Sequence, residues 1–486
     1  VTWVNGVDLI LAQQAHFIVP LLKTLDWRVS VLECSSPLEL FVNLETFESA
    51  GGPAHSKTLT CSLQTPPFCV RSFRLMRTTL VLLLSTSFLS AADWPEFRGS
   101  NAQGHSEATN LPLTWSPTAG IAWKAPLEGI GWSSPVVIGE RIFLTSALPV
   151  GGVEDPKADR SLHALALDAA TGKPVWDVEI FTATSPRTHR KNSHASPTPV
   201  YEDGKLYVHF GHLGTACLDA ATGKTIWSTQ EFAYSPVHGN GSSPVLFEDL
   251  LIFSADAETD PKVIALDKTT GKQRWAFARQ SDAKKKFSFC TPLIIEVNGQ
   301  KQLITPGSGV VNALNPKEGT EIWRFNYDQG YSVVPRPIFA HGLLFISTGF
   351  DKPVVLAIKP DGKGDVTATH LAWSIDKAAP HDPSMVVIGD ELYFIADNGI
   401  LSCVDAKTGQ VHYQERCTGP ISASPLFADG KLYLQDEKGL GVVVKPGKTF
   451  QILSKNDLGE HTLASYAVVG SDLLIRTEGN LYRIKK

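Results

Sequence analysis

Residues Leu162 to Trp176 read Leu-His-Ala-Leu-Ala-Leu-Asp-Ala-Ala-Thr-Gly-Lys-Pro-Val-Trp. Alternating apolar residues run into Asp168, a turn carrying Gly172 follows, and a second apolar run closes on Trp176. This is the pattern of a β-hairpin, with glycine where a positive φ costs least. The same spacing returns at Asp219 to Trp227, Asp267 to Trp275, Asn315 to Trp323 and Asp405 to Tyr413, with Gly223, Gly271, Gly319 and Gly409 in the turns. A looser copy ends on Trp373 after an insertion, and a shorter one ends on Phe450. A strand-only repeat with a period of about 40 to 50 residues predicts an all-β β-propeller.

Blade ends at Trp123, Trp176, Trp227, Trp275, Trp323, Trp373, Tyr413 and Phe450 predict eight four-stranded blades, with seven as the alternative because the last two ends are inferred from position. Ile121 to Lys124 reads as the last strand of a blade whose other strands are missing locally. His461 to Ile484 supplies strands but stops before any closing tryptophan. The N-terminal strand is therefore expected to complete the C-terminal blade, which closes the ring and removes its edges. The longest insertions, Leu148 to Arg160, Phe181 to Asn192 and Lys359 to His370, are expected to be loops.

The chain has 486 residues, 43% of them hydrophobic and 19% charged, and a net charge of -5. Nothing basic is clustered, which argues against nucleic acid as a partner. Residues 1–75 show none of the repeat and read as a non-native or disordered leader. From Met76 the character changes. Arg77 opens a short apolar run, Leu80 to Leu89, which ends in Ser90-Ala91-Ala92. A charged start, a short apolar middle and small residues at the end make residues 76–92 a predicted signal peptide. The run is too short to span a bilayer, which takes about 20 apolar residues. The mature protein is then expected to begin at Asp93 and to be periplasmic or secreted. The residue directly after Ala92 is Asp93 and not a cysteine, so no lipid anchor is expected there.

A second ladder marks the starts of the innermost strands. Ser134-Pro135, Thr198-Pro199, Ser243-Pro244, Thr291-Pro292 and Ser424-Pro425 pair a hydroxyl with proline, and Ser465 keeps the hydroxyl. Small hydroxyls beside a residue that cannot donate are expected to bond backbone. Arg336-Pro337 breaks the series with a cation. His194, His238, His381 and His461 lie a few residues before these starts, with Asn192, Asn240 and Asp382 beside them, and Trp132 is an aromatic at such a place. Trp132, His194, His238, Asn240, Arg336, His381 and Asp382 are the candidate ligand-binding residues, brought to one channel mouth by the fold. Arg336 has no obvious carboxylate partner in its own blade, so it serves a ligand or pairs with a neighbouring loop such as that of Asp382. Cys217 and Cys403 fall where Ala166, Ala265 and Ala313 stand in sister hairpins, and so are expected to be small buried side chains.

The repeated Ala-Leu-Asp-x-x-Thr-Gly-Lys-x-x-Trp hairpin resembles the PQQ-like propeller repeat, shared by quinoprotein alcohol dehydrogenases and the BamB outer-membrane assembly lipoproteins. Trp94 to Gly99, His189 to Pro199 and His238 to Pro244 are similar to segments of exported bacterial PQQ-binding-like propellers. For the enzymes, the resemblance implies pyrroloquinoline quinone held over a channel tryptophan with calcium, a catalytic aspartate and a disulfide between adjacent cysteines. This chain has no adjacent cysteine pair. The expectation is a non-catalytic binding scaffold with no cofactor, presenting the channel mouth to a protein, peptide or glycan. The alternative is a PQQ- and calcium-dependent oxidoreductase with a reduced site around Trp132, Arg336 and the nearby histidines.

Overall fold

The computed structural model describes residues 93–486, apart from 154, 156, 185–187 and 329. In the preceding stretch it describes only the backbone of two antiparallel strands, Trp27–Leu32 and Phe41–Thr46. The predicted signal peptide lies outside the described residues. From Asp93 onward the chain is a ring of eight four-stranded antiparallel blades. The innermost strands are Val136–Ile138, Val200–Glu202, Val245–Phe247, Leu293–Val297, Ile338–Ala340, Val386–Ile388, Leu426–Ala428 and Ala467–Val469, which number blades 1 to 8.

The repeated hairpin owes its shape to local chemistry. Asp168 Oδ1 accepts the Thr171 backbone N–H at 2.9 Å and the Thr171 hydroxyl at 2.7 Å, while the Gly172 N–H reaches Asp168 O at 2.8 Å. Asp219 with Thr222, Asp267 with Thr270 and Asp405 with Thr408 repeat the turn. Aspartate and threonine thus bend the chain, and glycine takes the left-handed position. Glycine is required here for a second reason. A Cβ on Gly223 would lie 2.8 Å from the Trp176 ring, and one on Gly271 would lie 2.5 Å from the Trp227 ring. Trp123, Trp176, Trp227, Trp275 and Trp373 lie flat on the next blade's turn glycine, and all but Trp275 donate the indole N–H there, whereas Trp323 donates to Gln302 Oε1 and Pro360 O. Trp123, Trp176, Trp227 and Trp373 reach Ala169 O, Ala220 O, Lys268 O and Ala406 O at 3.0–3.1 Å.

The ring closes as the sequence predicts. Ile121–Pro126 pairs antiparallel with Asn480–Ile484, placing Trp123 opposite Arg483, and completes blade 8. Arg476 then staples blade 8 to blade 1, donating to Ser133 O and Oγ and to Thr145 O from a fully buried position. Apolar side chains between neighbouring blades form the core. Ile142 and Leu144 of blade 1, for example, pack with Leu473, Ile475 and Leu481 of blade 8.

Three sequence expectations need correction. In blade 7 the residue paired where other blades carry tryptophan is Ser454, opposite Val443, and not Phe450. Phe450 precedes the outer strand Ile452–Asp457 and packs its ring on Tyr413, with centroids 5.5 Å apart. The Leu148 to Arg160 and Phe181 to Asn192 insertions begin as strand, since blade 1 extends through Arg141–Pro149, Arg160–Asp168 and Pro174–Ala183. Lys359 to His370 contributes a short strand, Gly364–Asp365, parallel to Glu321–Asn326, and so gives blade 4 a fifth strand.

Candidate functional site: a blind pocket at the channel mouth

The hydroxyl ladder forms a belt that ties neighbouring blades together. The Ser134 N–H donates to Thr198 Oγ1 at 3.0 Å, Thr198 N–H to Ser243 Oγ at 2.9 Å, and Ser243 N–H to Thr291 Oγ1 at 2.9 Å. Beyond the break, Arg336 N–H donates to Ser384 Oγ, Ser384 N–H to Ser424 Oγ, and Ser424 N–H to Ser465 Oγ, at 2.9–3.0 Å. Each hydroxyl therefore satisfies a backbone donor in the preceding blade rather than beside its own proline. A short side chain is needed because the acceptor must sit close to the neighbouring main chain. At the blade 4 to blade 5 step, Arg336 Nε donates to Pro292 O at 3.0 Å instead.

The channel inside the belt is plugged from the opposite face. Asp93 meets Gly139 at the far end of blade 1's innermost strand, Trp94 bridges Val137, and Pro95 O accepts the Tyr201 N–H. The chain climbs to an apex at Phe97 and Arg98 and turns at Gly99. It returns through Gln103, whose Oε1 accepts the Phe339 N–H, and His105–Ser106, which pairs parallel with blade 7's Leu426–Ala428. Arg336 holds this plug. Its Nη2 meets Glu96 Oε2 at 3.0 Å, its Nη1 meets Phe97 O at 2.6 Å, and its side chain is 2% exposed. Burial raises the Glu96 pKa more than Arg336 lowers it. Arg336 thus pairs with Glu96 and not Asp382, and it does not line the pocket.

Above the apex lies a pocket of about 560 Å³, within the range typical of small-ligand sites. The Phe97 ring and the belt hydroxyls form its floor. One arc of wall is aromatic: His238, Phe287, Phe289, Tyr331 and Phe350, with Lys285 Nζ 4.2 Å from the Tyr331 ring centre. Within it Phe287 lies 5.1 Å from His238 and 5.6 Å from Tyr331, and Phe350 lies 5.6 Å from Tyr331 and 5.3 Å from His381. The facing arc is polar, carrying Lys191, His381, Asp382, Asp397 and Ser422. Lys191 comes from the loop between blades 1 and 2 and reaches across to Asp382 of blade 6 at 3.2 Å and Glu437 of blade 7 at 2.9 Å. Asp397 accepts the backbone N–H groups of His381 and Asp382. Burial and then the Asp382 charge push its pKa up to about 7. His238 is held below its ordinary value by burial, then by His189 and Lys285, so its ring faces the pocket neutral.

Of the candidates, Trp132, His238, His381 and Asp382 are brought together on this pocket. Trp132 stands edge-on to His461, with centroids 5.4 Å apart. His194 and Asn240 are not on the wall. Asn240 is buried and structural, donating to Phe210 O at 2.7 Å and accepting from the Tyr234 hydroxyl at 2.8 Å. Lys191, Asp397, Phe97 and, apart from His238, the residues of the aromatic arc were not singled out from sequence. The arc had a usable signal: Phe287, Phe289 and Tyr331 precede innermost-strand starts just as His238 does.

Calcium and quinone would need a carboxylate-rich ligand set here. Among the described residues no group of three or more His, Cys, Asp or Glu is arranged to hold a metal. Lys191 already engages Asp382, Asp397 is taken up with backbone donors, and Arg336 is committed to the plug. The residues present do not fit the group, and no chemistry is derived through it. The four cysteines of blades 2, 4 and 6 are buried free thiols, Cys290 and Cys417 included.

Comparison with known proteins agrees with this architecture. The chain is 24% identical over 347 residues to outer membrane protein assembly factor BamB of Yersinia pestis, covering 70% of this chain and 75% of that protein. Two uncharacterized proteins, from Rickettsia conorii and Rickettsia prowazekii, are each 23% identical over 295 residues, and the chain spans 61% of their length. Among solved structures, BamB from Moraxella catarrhalis superposes with a TM-score of 0.55 at 11% identity, over 75% of this chain and 97% of that one. A quinohemoprotein alcohol dehydrogenase from Comamonas testosteroni gives a TM-score of 0.47 at 15% identity, over 82% and 81%. No described helix is long and apolar enough to cross a membrane. The sequence profile described as outer membrane protein assembly factor BamB matches residues 113–229, 160–358 and 307–457, and the chain belongs to that family of β-propellers.

Proposed function

We propose that the chain is an exported, non-catalytic binding scaffold whose mouth pocket receives a short peptide segment of a partner protein. One observation carries this reading: the channel is not a through-pore but a blind pocket of about 560 Å³ whose wall divides into an aromatic arc and a carboxylate-bearing arc. Aromatic side chains grip apolar surface, and Tyr and His keep a polar edge for hydrogen bonds. Asp382, whose Oδ2 is held by Lys191 and Ser422, keeps its other oxygen as an acceptor for a donor on the same segment. The assembly role in the name of the BamB relative is consistent with a scaffold, and localisation outside the cytoplasm follows the predicted signal peptide. A displayed random peptide library, selected on residues 93–486, tests the reading. Selected peptides should lose most of their affinity for Phe350→Ser and Asp382→Asn. Enrichment of glycans but not peptides would redirect the assignment. A stable quinone adduct, seen by absorbance and mass after incubation with pyrroloquinoline quinone and calcium, would overturn it.

A further inference from the structure

Below the pocket floor, the plug buries a second arginine whose charge is not balanced. Arg98 is 2% exposed. Its Nη2 donates to Met385 O at 2.6 Å and to Gln103 O at 2.8 Å. A guanidinium carries five N–H groups, and the remaining ones, on Nε and Nη1, have no acceptor. The group is also held firmly. Arg98 itself has φ +71°, and a Cβ on Gly104 would fall 2.4 Å from Nη2, so the return strand of the plug passes directly against the guanidinium.

Charge makes the same point independently. The carboxylate of this region, Glu96, is bonded to Arg336. Two guanidiniums, each 2% exposed, therefore share one carboxylate that is itself about three-quarters buried. His105, on the returning chain, adds no negative charge, and burial and the Arg98 charge hold its pKa down. Burial, then Arg336, lowers the Arg98 pKa to about 9, which leaves the group protonated at neutral pH. A buried cation without a counter-charge is strongly unfavourable, and unmet donors add to the cost. A water molecule would meet the donors but leave the charge.

We propose that the propeller axis binds a small monovalent anion of chloride size against one of the two free donors of Arg98, Nε or Nη1, which lie on different edges of the guanidinium, at the apex of the plug. One uncompensated positive charge and the free donors of a single guanidinium match a halide rather than a phosphate. The anion would fix the apex and with it Phe97, the pocket floor.

The test uses residues 93–486. Crystals soaked in sodium bromide should show an anomalous peak within hydrogen-bonding distance of Arg98 Nε or Nη1. Melting in sodium chloride should be several degrees higher than in sodium gluconate at equal ionic strength, and should rise with the logarithm of chloride concentration, as for any ligand of the native state. Arg98→Met should abolish that difference. A water at the site in bromide-soaked crystals, equal melting in the two salts, or a chloride effect that persists in Arg98→Met would each overturn the proposal. If the variant does not fold, the two wild-type measurements decide.

Discussion

Replacing Arg336 by methionine removes the plug's anchor while keeping most of the side chain's apolar length. In the wild type, Arg336 compensates Glu96 and fills the carbonyls of Phe97 and Pro292. The variant leaves Glu96, about three-quarters buried, without its partner. Breaking a buried pair from one side costs about 3–5 kcal/mol. The residual 23% exposure of Glu96 places the expected loss near the lower limit, about 3 kcal/mol. The effect depends on pH with a definite sign. The folded-state pKa of Glu96 already lies above its ordinary value of 4.5 because of burial, and losing Arg336 raises it further. An acid raised on folding penalises the native state above its folded pKa, and the penalty disappears as pH falls to the unfolded value. The gap between variant and wild type in urea unfolding should therefore be about 3 kcal/mol at pH 7 and shrink steadily towards pH 4.5. Adding Glu96→Gln to the variant should recover part of the loss at pH 7. A loss under about 1 kcal/mol, a gap that widens in acid, or a double variant no better than the single would refute the anchoring role.

Other outcomes follow from the same geometry. Trp176→Ala or Trp227→Ala should cost about 2–3 kcal/mol in thermal or urea melts, below the figure for a fully buried ring, because each indole is only half-buried on its neighbour's glycine. Deleting residues 93–127 removes both the plug and the strand that completes blade 8, so the product should aggregate, as light scattering would show. Glu460 loses solvation by burial, but bonds from Lys124, Tyr482, Thr477 and Asn480 outweigh this and depress its pKa to about 2. Glu460→Gln should cost about 2 kcal/mol at pH 7, a difference fully present above the ordinary value of 4.5 and lost as pH falls towards 2.

The fold was legible because each hairpin carries its own turn chemistry: aspartate, threonine and glycine at fixed offsets announce the strands on either side. Closure was legible too, since an unmatched strand at Ile121 had one place to go. The reason tryptophan and glycine recur together is a contact between consecutive blades, which spacing within one repeat does not reveal. Blade 7 misled for a related reason. Its docking position is Ser454, covered by the incoming N-terminal segment through the Ser454 hydroxyl bond to Leu113 O, so no aromatic was needed there. The candidate site was half legible. Sequence offsets located Trp132, His238, His381 and Asp382, but Arg336 could not be assigned, because its partner Glu96 is about 240 residues away on a segment without repeats. Trp94 to Gly99 looked like a motif without a role. Its role is the plug: Trp94 meets Val137, Pro95 meets Tyr201, Glu96 and Phe97 both meet Arg336, and Arg98 meets Met385.

The central claim, that the mouth pocket is the working surface, is tested most directly by site-specific photocrosslinking in an exporting bacterial host. A photoreactive phenylalanine analogue is placed at Phe350 on the pocket wall, or at Ile226 on the outer strand of blade 2; the two are equally exposed, at 51% and 50%. Crosslinks to a partner polypeptide from position 350, absent from position 226 and competed by a selected peptide, are the predicted result. Crosslinks from position 226 with none from position 350 would contradict it.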